Sequence, residues 1–174
     1  MGKKEASWVS HAAAVLLLPF NVTVIIPSLL LYFLPFQFVW GTEGGLVFLV
    51  GGLGLAAVLF GLLLVVLTVR QFAKRGKGTL APWDAPRKLV VSGPYRYTRN
   101  PMISGVVCIL LGESILLGSV WLAGWFALFS TINYTYFIVG EEPELEKKFG
   151  DEYREYRRNV PRLLPRRTGW RQGE

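Results

Sequence analysis

The sequence predicts an all-α integral membrane protein, with four transmembrane helices and a C-terminal amphipathic helix. Three observations carry that prediction. The chain is 52% hydrophobic with only 18% charged residues, where soluble domains carry roughly a quarter. Runs approaching or exceeding the roughly 20 apolar residues that cross a bilayer recur near 12–38, 46–69, 101–117 and 119–139. Most of the charge collects in two blocks, 70–100 and the segment after 140. The 174 residues allow one membrane-embedded unit, 1–174, with no room for a second domain.

The first run follows Lys3 and Lys4, as a signal peptide would. It is longer than the roughly 7–15 residues of a signal h-region, it lacks a small-residue cleavage site, and further spans follow. The expectation is a retained helix, bent at Pro19 and Pro27, which membrane helices tolerate. In the second run, Gly52-Leu53-Gly54-Leu55-Ala56-Ala57 imitates a dinucleotide-binding turn. That turn belongs between a strand and a helix. Inside a span, Gly54, Ala57 and Gly61 instead share one face, and small residues on one face let membrane helices approach closely.

The third and fourth runs are separated only by a short link around Gly118, so they should form an antiparallel hairpin. Its first arm is barely long enough to cross, which leaves the depth of Glu113 open.

Basic residues set orientation. Segment 70–100 holds Arg70, Lys74, Arg75, Lys77, Arg87, Lys88, Arg96 and Arg99 against one acid, Asp84, whereas connector 37–45 has no basic residue. The expected topology is multi-pass, with both termini and the 70–100 loop cytoplasmic. Topology and attraction to anionic headgroups then account for the net charge of +7, and nucleic-acid binding is not implied. Cys108 is the single cysteine and His11 the single histidine. Neither has the partners of a metal site; Cys108 reads as a small apolar residue and His11 as interfacial.

The loop 76–86, rich in glycine and proline, should be irregular. It suits either a plain connector anchored by Trp83 or a lid over a pocket. After it, Asn100 is placed to cap the third helix and Pro101 to occupy its first position. Arg96 and Arg99 could snorkel to phosphates, but that leaves the interleaved Tyr95 and Tyr97 unexplained. Beyond the fourth span, Gly140 is expected to end the helix and Glu141-Glu142-Pro143 to start another, over 141–160. Acids suit a helix start. Leu145, Phe149, Tyr153, Tyr156 and Val160 recur at helical spacing as an apolar stripe. Adjacent carboxylates beside a span are unusual all the same, because membrane carboxylates tend to have partners.

Taken together, Gly93-Pro94-Tyr95-Arg96-Tyr97-Thr98-Arg99-Asn100-Pro101, the Glu141-Glu142 pair, Phe149-Gly150-Asp151-Glu152-Tyr153, Tyr156, Val160-Pro161-Arg162 and Leu164-Pro165 resemble the isoprenylcysteine carboxyl methyltransferases and the related phospholipid N-methyltransferases. The resemblance covers the chain from about Gly78 onward. It implies a membrane methyltransferase that uses S-adenosyl-L-methionine at the cytoplasmic face. Carried over by position, the cofactor wall would be Leu89, Val90, Tyr95, Asn100, Pro101, Met102, Ile103 and Glu141, with Glu142 completing the glutamate pair of the cofactor site. Two positions depart from the pattern: the family commonly has histidine at Asn100, and the eukaryotic prenylcysteine enzymes have arginine at Phe137. The resemblance therefore bears on methyl transfer and leaves the acceptor open.

Methyl transfer from a sulfonium is an in-line displacement that needs no metal, and orientation alone can supply up to about 7–11 kcal/mol. Arg99 or Arg96 is suited to the cofactor's carboxylate, Glu141 to its ammonium or a ribose hydroxyl, and Tyr95 to stacking or hydrogen bonding. Glu142, desolvated, could take the proton of an amine acceptor; a carboxylate acceptor needs no base. The expected catalytic residues are Glu142 and Arg99. The acceptor should be lipophilic and enter from the bilayer between the third and fourth spans, near Asn133, Tyr134, Tyr136 and Phe137. Carboxyl O-methylation is favoured over N-methylation of an aminophospholipid. A non-catalytic four-span lipid-binding or structural protein is the competing class.

Overall fold

Two pairs of glycines set the packing of the apolar half. The computed structural model describes residues 16–35, 38–40, 45–75 and 89–171. Lys3, Lys4, His11, Trp83, Asp84, Arg87, Lys88 and the 76–86 loop lie outside them, as does most of the 37–45 connector. Helix α2 (Gly45–Arg75) runs beside α3 (Pro101–Leu116). A Cβ built on Gly61 would lie 2.5 Å from the Gly105 carbonyl oxygen, and one on Gly112 would lie 2.6 Å from that of Gly54. Backbone touches backbone at both points, which only glycine permits. The expected small-residue face is real, and it faces α3. Val65, Val106, Ile109 and Leu110 fill the space between these contacts, with Val22, Trp125, Phe126 and Phe129 packed around them.

The chain enters this half through a π-helical segment, Leu16–Ile25, that passes into α1 (Ile26–Phe33). Pro19 sits inside the π-helical winding and Pro27 in the first turn of α1, where a missing N–H costs least. The prolines thus mark a change of winding. Helix α1 ends at Phe33, with Leu34 extended, so the first run stops short of residue 38.

Gly118, at φ +53°, closes the link between α3 and α4 (Val120–Tyr136). Its N–H donates to the Ile115 carbonyl at 3.2 Å. Its carbonyl accepts from Val39 N at 2.9 Å, and Trp40 Nε1 donates to Ile115 O at 2.8 Å. The expected hairpin is present.

Helix α4 does not end at Gly140. A π-helical turn, Phe137–Glu141, carries it straight into α5 (Glu142–Phe149). Gly140 is not in the left-handed conformation; the break comes at Gly150, φ +56°. Helix α6 (Asp151–Asn159) follows. The single helix expected over 141–160 is therefore two, and its first half continues α4 through the π-helical turn.

Among the described residues the protein is all-helical, with no strand. Two helical stretches, Gly45–Gln71 and Val120–Phe149, are long and apolar enough to cross a membrane, and Pro19–Phe33 and Pro101–Leu116 are shorter apolar helices. Large apolar side chains point outward, among them Phe48 at 84% and Val139 at 71% exposure, as lipid contact requires and water does not favour.

The polar half has its own core. Tyr153, Tyr156, Val160 and Trp170 are buried together, with Leu89, Val91, Leu145 and Phe149 against them. The apolar stripe read from the sequence points inward here, across both α5 and α6.

Candidate active site

The site forms where the polar segment before α3 meets the end of α4 and the C-terminal tail. Gly93, at φ +59°, opens a 3-10 turn over Gly93–Arg96, with Pro94 in its first positions. Asn100 then caps α3, its Oδ1 accepting from Ile103 N at 3.3 Å, and Pro101 is buried at the helix start.

The tail is laced to this segment. Arg99 N donates to Pro161 O at 2.8 Å and Asn100 N to Arg162 O at 3.2 Å; Arg166 N donates to Tyr97 O and Trp170 N to Arg96 O, both at 3.0 Å. Buried Thr98 donates its hydroxyl to Arg162 O at 2.6 Å, and Ser104 donates to Leu163 O at 2.8 Å. Arg96 points at the tail as well, with Nε on Trp170 O at 2.9 Å and Nη2 on Gly169 O at 3.0 Å. Its fork is occupied by carbonyls, so Arg99 is the better placed of the two arginines to serve a ligand.

At the centre is Glu142. Arg99 Nη1 donates to its Oε1 at 2.7 Å, Arg162 Nε to the same oxygen at 2.6 Å, and Arg162 Nη2 to Oε2 at 3.2 Å. The Arg99 and Glu142 side chains are only 6% and 4% exposed. A buried carboxylate is tolerable when guanidiniums surround it like this. Arg99 Nη1 also reaches Tyr153 Oη at 3.3 Å, and its guanidinium lies 5.9 Å from the Phe137 ring centroid. Arg162 Nη1 reaches Tyr134 Oη at 3.3 Å. The hydrogen bond to Glu142 pushes the Arg162 pKa up.

The tyrosines stay neutral. Burial pushes the Tyr95, Tyr153 and Tyr156 hydroxyls up, and the Glu141 carboxylate adds to the rise at Tyr95. Tyr156 is therefore a firm donor, and it gives its proton to Tyr95 O at 2.7 Å.

The structure brings Tyr95, Arg99, Glu141 and Glu142 together, with Asn100 at the head of α3. Met102 and Ile103 continue that helix, half-buried. Leu89 packs on the tyrosine core, and Val90 beside it is half-buried. On α4, Asn133 donates to its own helix at Phe129 O, 2.9 Å, Tyr134 meets Arg162, and Phe137 is buried under Arg99. Sequence reasoning assigned no site role to Arg162, Tyr153 or Tyr156, reading the tyrosines in an apolar stripe and all three in the motifs of the resemblance. The motif Val160-Pro161-Arg162 was the available signal, but its partners lie 20 or more residues away.

Two groups remain uncommitted. Arg99 Nε is buried without a hydrogen-bond partner among the described residues. Glu141 is half-buried and makes no ion pair among them. Arg99, with a donor to spare, and Glu141, the neighbour in sequence of its partner Glu142, together suit a ligand that carries both an anion and a cation. No group of three or more metal-ligating side chains occurs among the described residues.

Residues 50–152 match the family model described as phospholipid methyltransferase. The match covers more than half of the chain, and the chain belongs to that family. The protein-S-isoprenylcysteine O-methyltransferase of Schizosaccharomyces pombe (strain 972 / ATCC 24843) is 38% identical over 80 residues, which cover 44% of this chain and 33% of that relative. The match thus spans about a third of the relative's length. No solved structure matches the chain significantly.

Proposed function

We propose that this protein transfers a methyl group from S-adenosyl-L-methionine to a lipophilic acceptor at the membrane face, by carboxyl O-methylation. The observation that carries the reading is the uncommitted groups at the Glu142 ion-pair centre: among the described residues, Arg99 Nε has no hydrogen-bond partner and Glu141 no cation. Both are contributed by the motifs that resemble the methyltransferases, and both lie within the family match.

In this reading Arg99 holds the cofactor's carboxylate and Glu141 its ammonium, with Tyr95 and the start of α3 from Asn100 to Ile103 as the wall. The cofactor supplies an activated methyl on a sulfonium. The chain's contribution is orientation and exclusion of water. Glu142 receives two guanidiniums, which makes it a positioning residue for Arg99 more than a base. An acceptor that needs no base, a carboxylate, fits that arrangement, and the Schizosaccharomyces pombe relative is named for O-methyl transfer. N-methylation of a phospholipid is the second reading, favoured by the family's name. In either case the acceptor reaches the site from the bilayer. The four apolar runs are four crossings with both termini cytoplasmic, supported by the basic excess of 70–100.

Calorimetric titration of S-adenosyl-L-methionine into detergent-purified protein tests the reading, with Glu141→Ala in parallel. Saturable binding that the substitution weakens tenfold or more, about 1.4 kcal/mol, is expected. Well-folded protein that binds nothing would leave a non-catalytic membrane module.

A further inference from the structure

The opposite face of the 93–98 turn carries a second feature. A groove of about 610 Å³ lies between that turn and α2, within the 300–1,000 Å³ typical of ligand sites. One wall is a stripe on α2, Phe60, Leu64 and Leu67, ending in Gln71. These residues are four, three and four apart, one face of a helix. Phe60 and Leu67 are 43% and 39% exposed, and the stripe lies within the apolar stretch Gly45–Gln71. The other end is basic: Arg70 and Arg96 line it, and no carboxylate is among the described lining residues.

Arg96 spends two nitrogens on the tail carbonyls. Arg70 makes no hydrogen bond or ion pair among the described residues, and it stands where the apolar stretch of α2 runs out. Gln71 is fixed by its bond to Ser92 Oγ at 2.5 Å, which ties the groove's polar end to the turn that leads into the ion-pair centre.

We propose that this groove binds an anionic phospholipid, its phosphate on Arg70 and an acyl chain along Leu67, Leu64 and Phe60. Charge complementarity selects the occupant: two guanidiniums, with no acid among the described residues at the polar end, where the apolar stretch of α2 and its exposed trough run out. A zwitterionic lipid would bring its own cation to the same place and lose that advantage. The bound lipid is a resident of the α2 face, separate from the methyl acceptor. It steadies the turn through Gln71 and Ser92.

The test uses the full chain in neutral-detergent micelles. Native mass spectrometry reads retention of phosphatidylglycerol against phosphatidylcholine of the same acyl chains. One phosphatidylglycerol per chain is expected, with phosphatidylcholine retained at least tenfold less. Arg70→Gln should lower phosphatidylglycerol retention tenfold or more, Leu64→Trp should do so by filling the trough, and Arg158→Gln, an exposed basic position on α6, should change nothing. Because Arg70 is exposed, its variant will fold even if the tryptophan variant does not. Equal retention of the two lipids would overturn the proposal, as would equal losses in Arg70→Gln and Arg158→Gln. Folded protein that retains neither lipid would also overturn it. Displacement of the lipid by a prenylated carboxylate would reassign the groove to the acceptor. The readout involves neither cofactor nor turnover, so it stands or falls apart from the methyltransferase reading.

Discussion

The two halves of the molecule are held together by different means. Between α2 and α3 the contact is bare backbone at Gly54, Gly61, Gly105 and Gly112, with apolar side chains between and hardly a polar bond across the seam. Around Glu142 the contact is almost entirely directional: two guanidiniums, buried hydroxyls, and the tail's backbone bonded to residues 96–100. In lipid, apolar burial gives helices little reason to associate, so close approach must do it. At the polar end water competes for every group, and only a closed network of paired donors and acceptors excludes it. Tolerance to substitution should differ accordingly.

The largest effect should come from the seam. Gly61→Leu places a side chain on the Gly105 carbonyl, and a neighbouring backbone cannot swing away as a side chain can. We expect loss of a monodisperse peak in size-exclusion chromatography. Gly52→Ala, where a Cβ meets nothing within 4 Å, should elute as the parent. Equal behaviour of the two would mean that the seam is loose.

Next is the ionic centre. Glu142→Gln leaves the Arg99 guanidinium, 6% exposed, without its counter-charge, and removing one partner of a buried pair typically costs about 3–5 kcal/mol. Thermal unfolding in detergent should show a large drop in Tm. Glu141→Ala should leave Tm near the parent value, which separates the ion-paired carboxylate from its neighbour outside the network.

Tyr156→Phe removes one hydroxyl and leaves the Tyr95 carbonyl without its donor, at a cost of about 1 kcal/mol, readable as a smaller drop in Tm. At the small end, Arg154 bonds Glu146 and Asp151 on an open surface, and Arg154→Gln should not move Tm measurably, since exposed ion pairs contribute little. A drop there comparable to that of Glu142→Gln would erase the contrast between a buried network and a solvated one.

Much of this was legible in the sequence because it was local. Asn100 and Pro101 announced the start of α3, and the cap bond to Ile103 is where their order puts it. The stripe from Leu145 to Val160 named the faces of α5 and α6 that turn inward. The glycines of α2 named its contact face, though not its partner. What was not legible depended on three-dimensional neighbours or on winding. Gly140 looks like a stop and is passed over, because the π-helical turn at Phe137–Glu141 reorients the chain without breaking it. Gly150 lay inside an unbroken apolar stripe and is the actual break. Arg162 takes its meaning from Glu142, 20 residues away, and from Thr98, 64 away. No spacing rule reaches across such separations.

The lacing of residues 161–170 onto 96–100 has a consequence for biogenesis. The helices α2, α3 and α4 are complete, and can pack on one another, before the tail that ties the polar segment down has been synthesised. The apolar half can thus settle while the polar half is still unmade. Maturation becomes a two-stage event in which the apolar helices come first and closure of the polar network follows, on arrival of residues 161–170. A polypeptide stalled or clipped after α6 would be a membrane protein in every hydropathic respect and would lack a finished site.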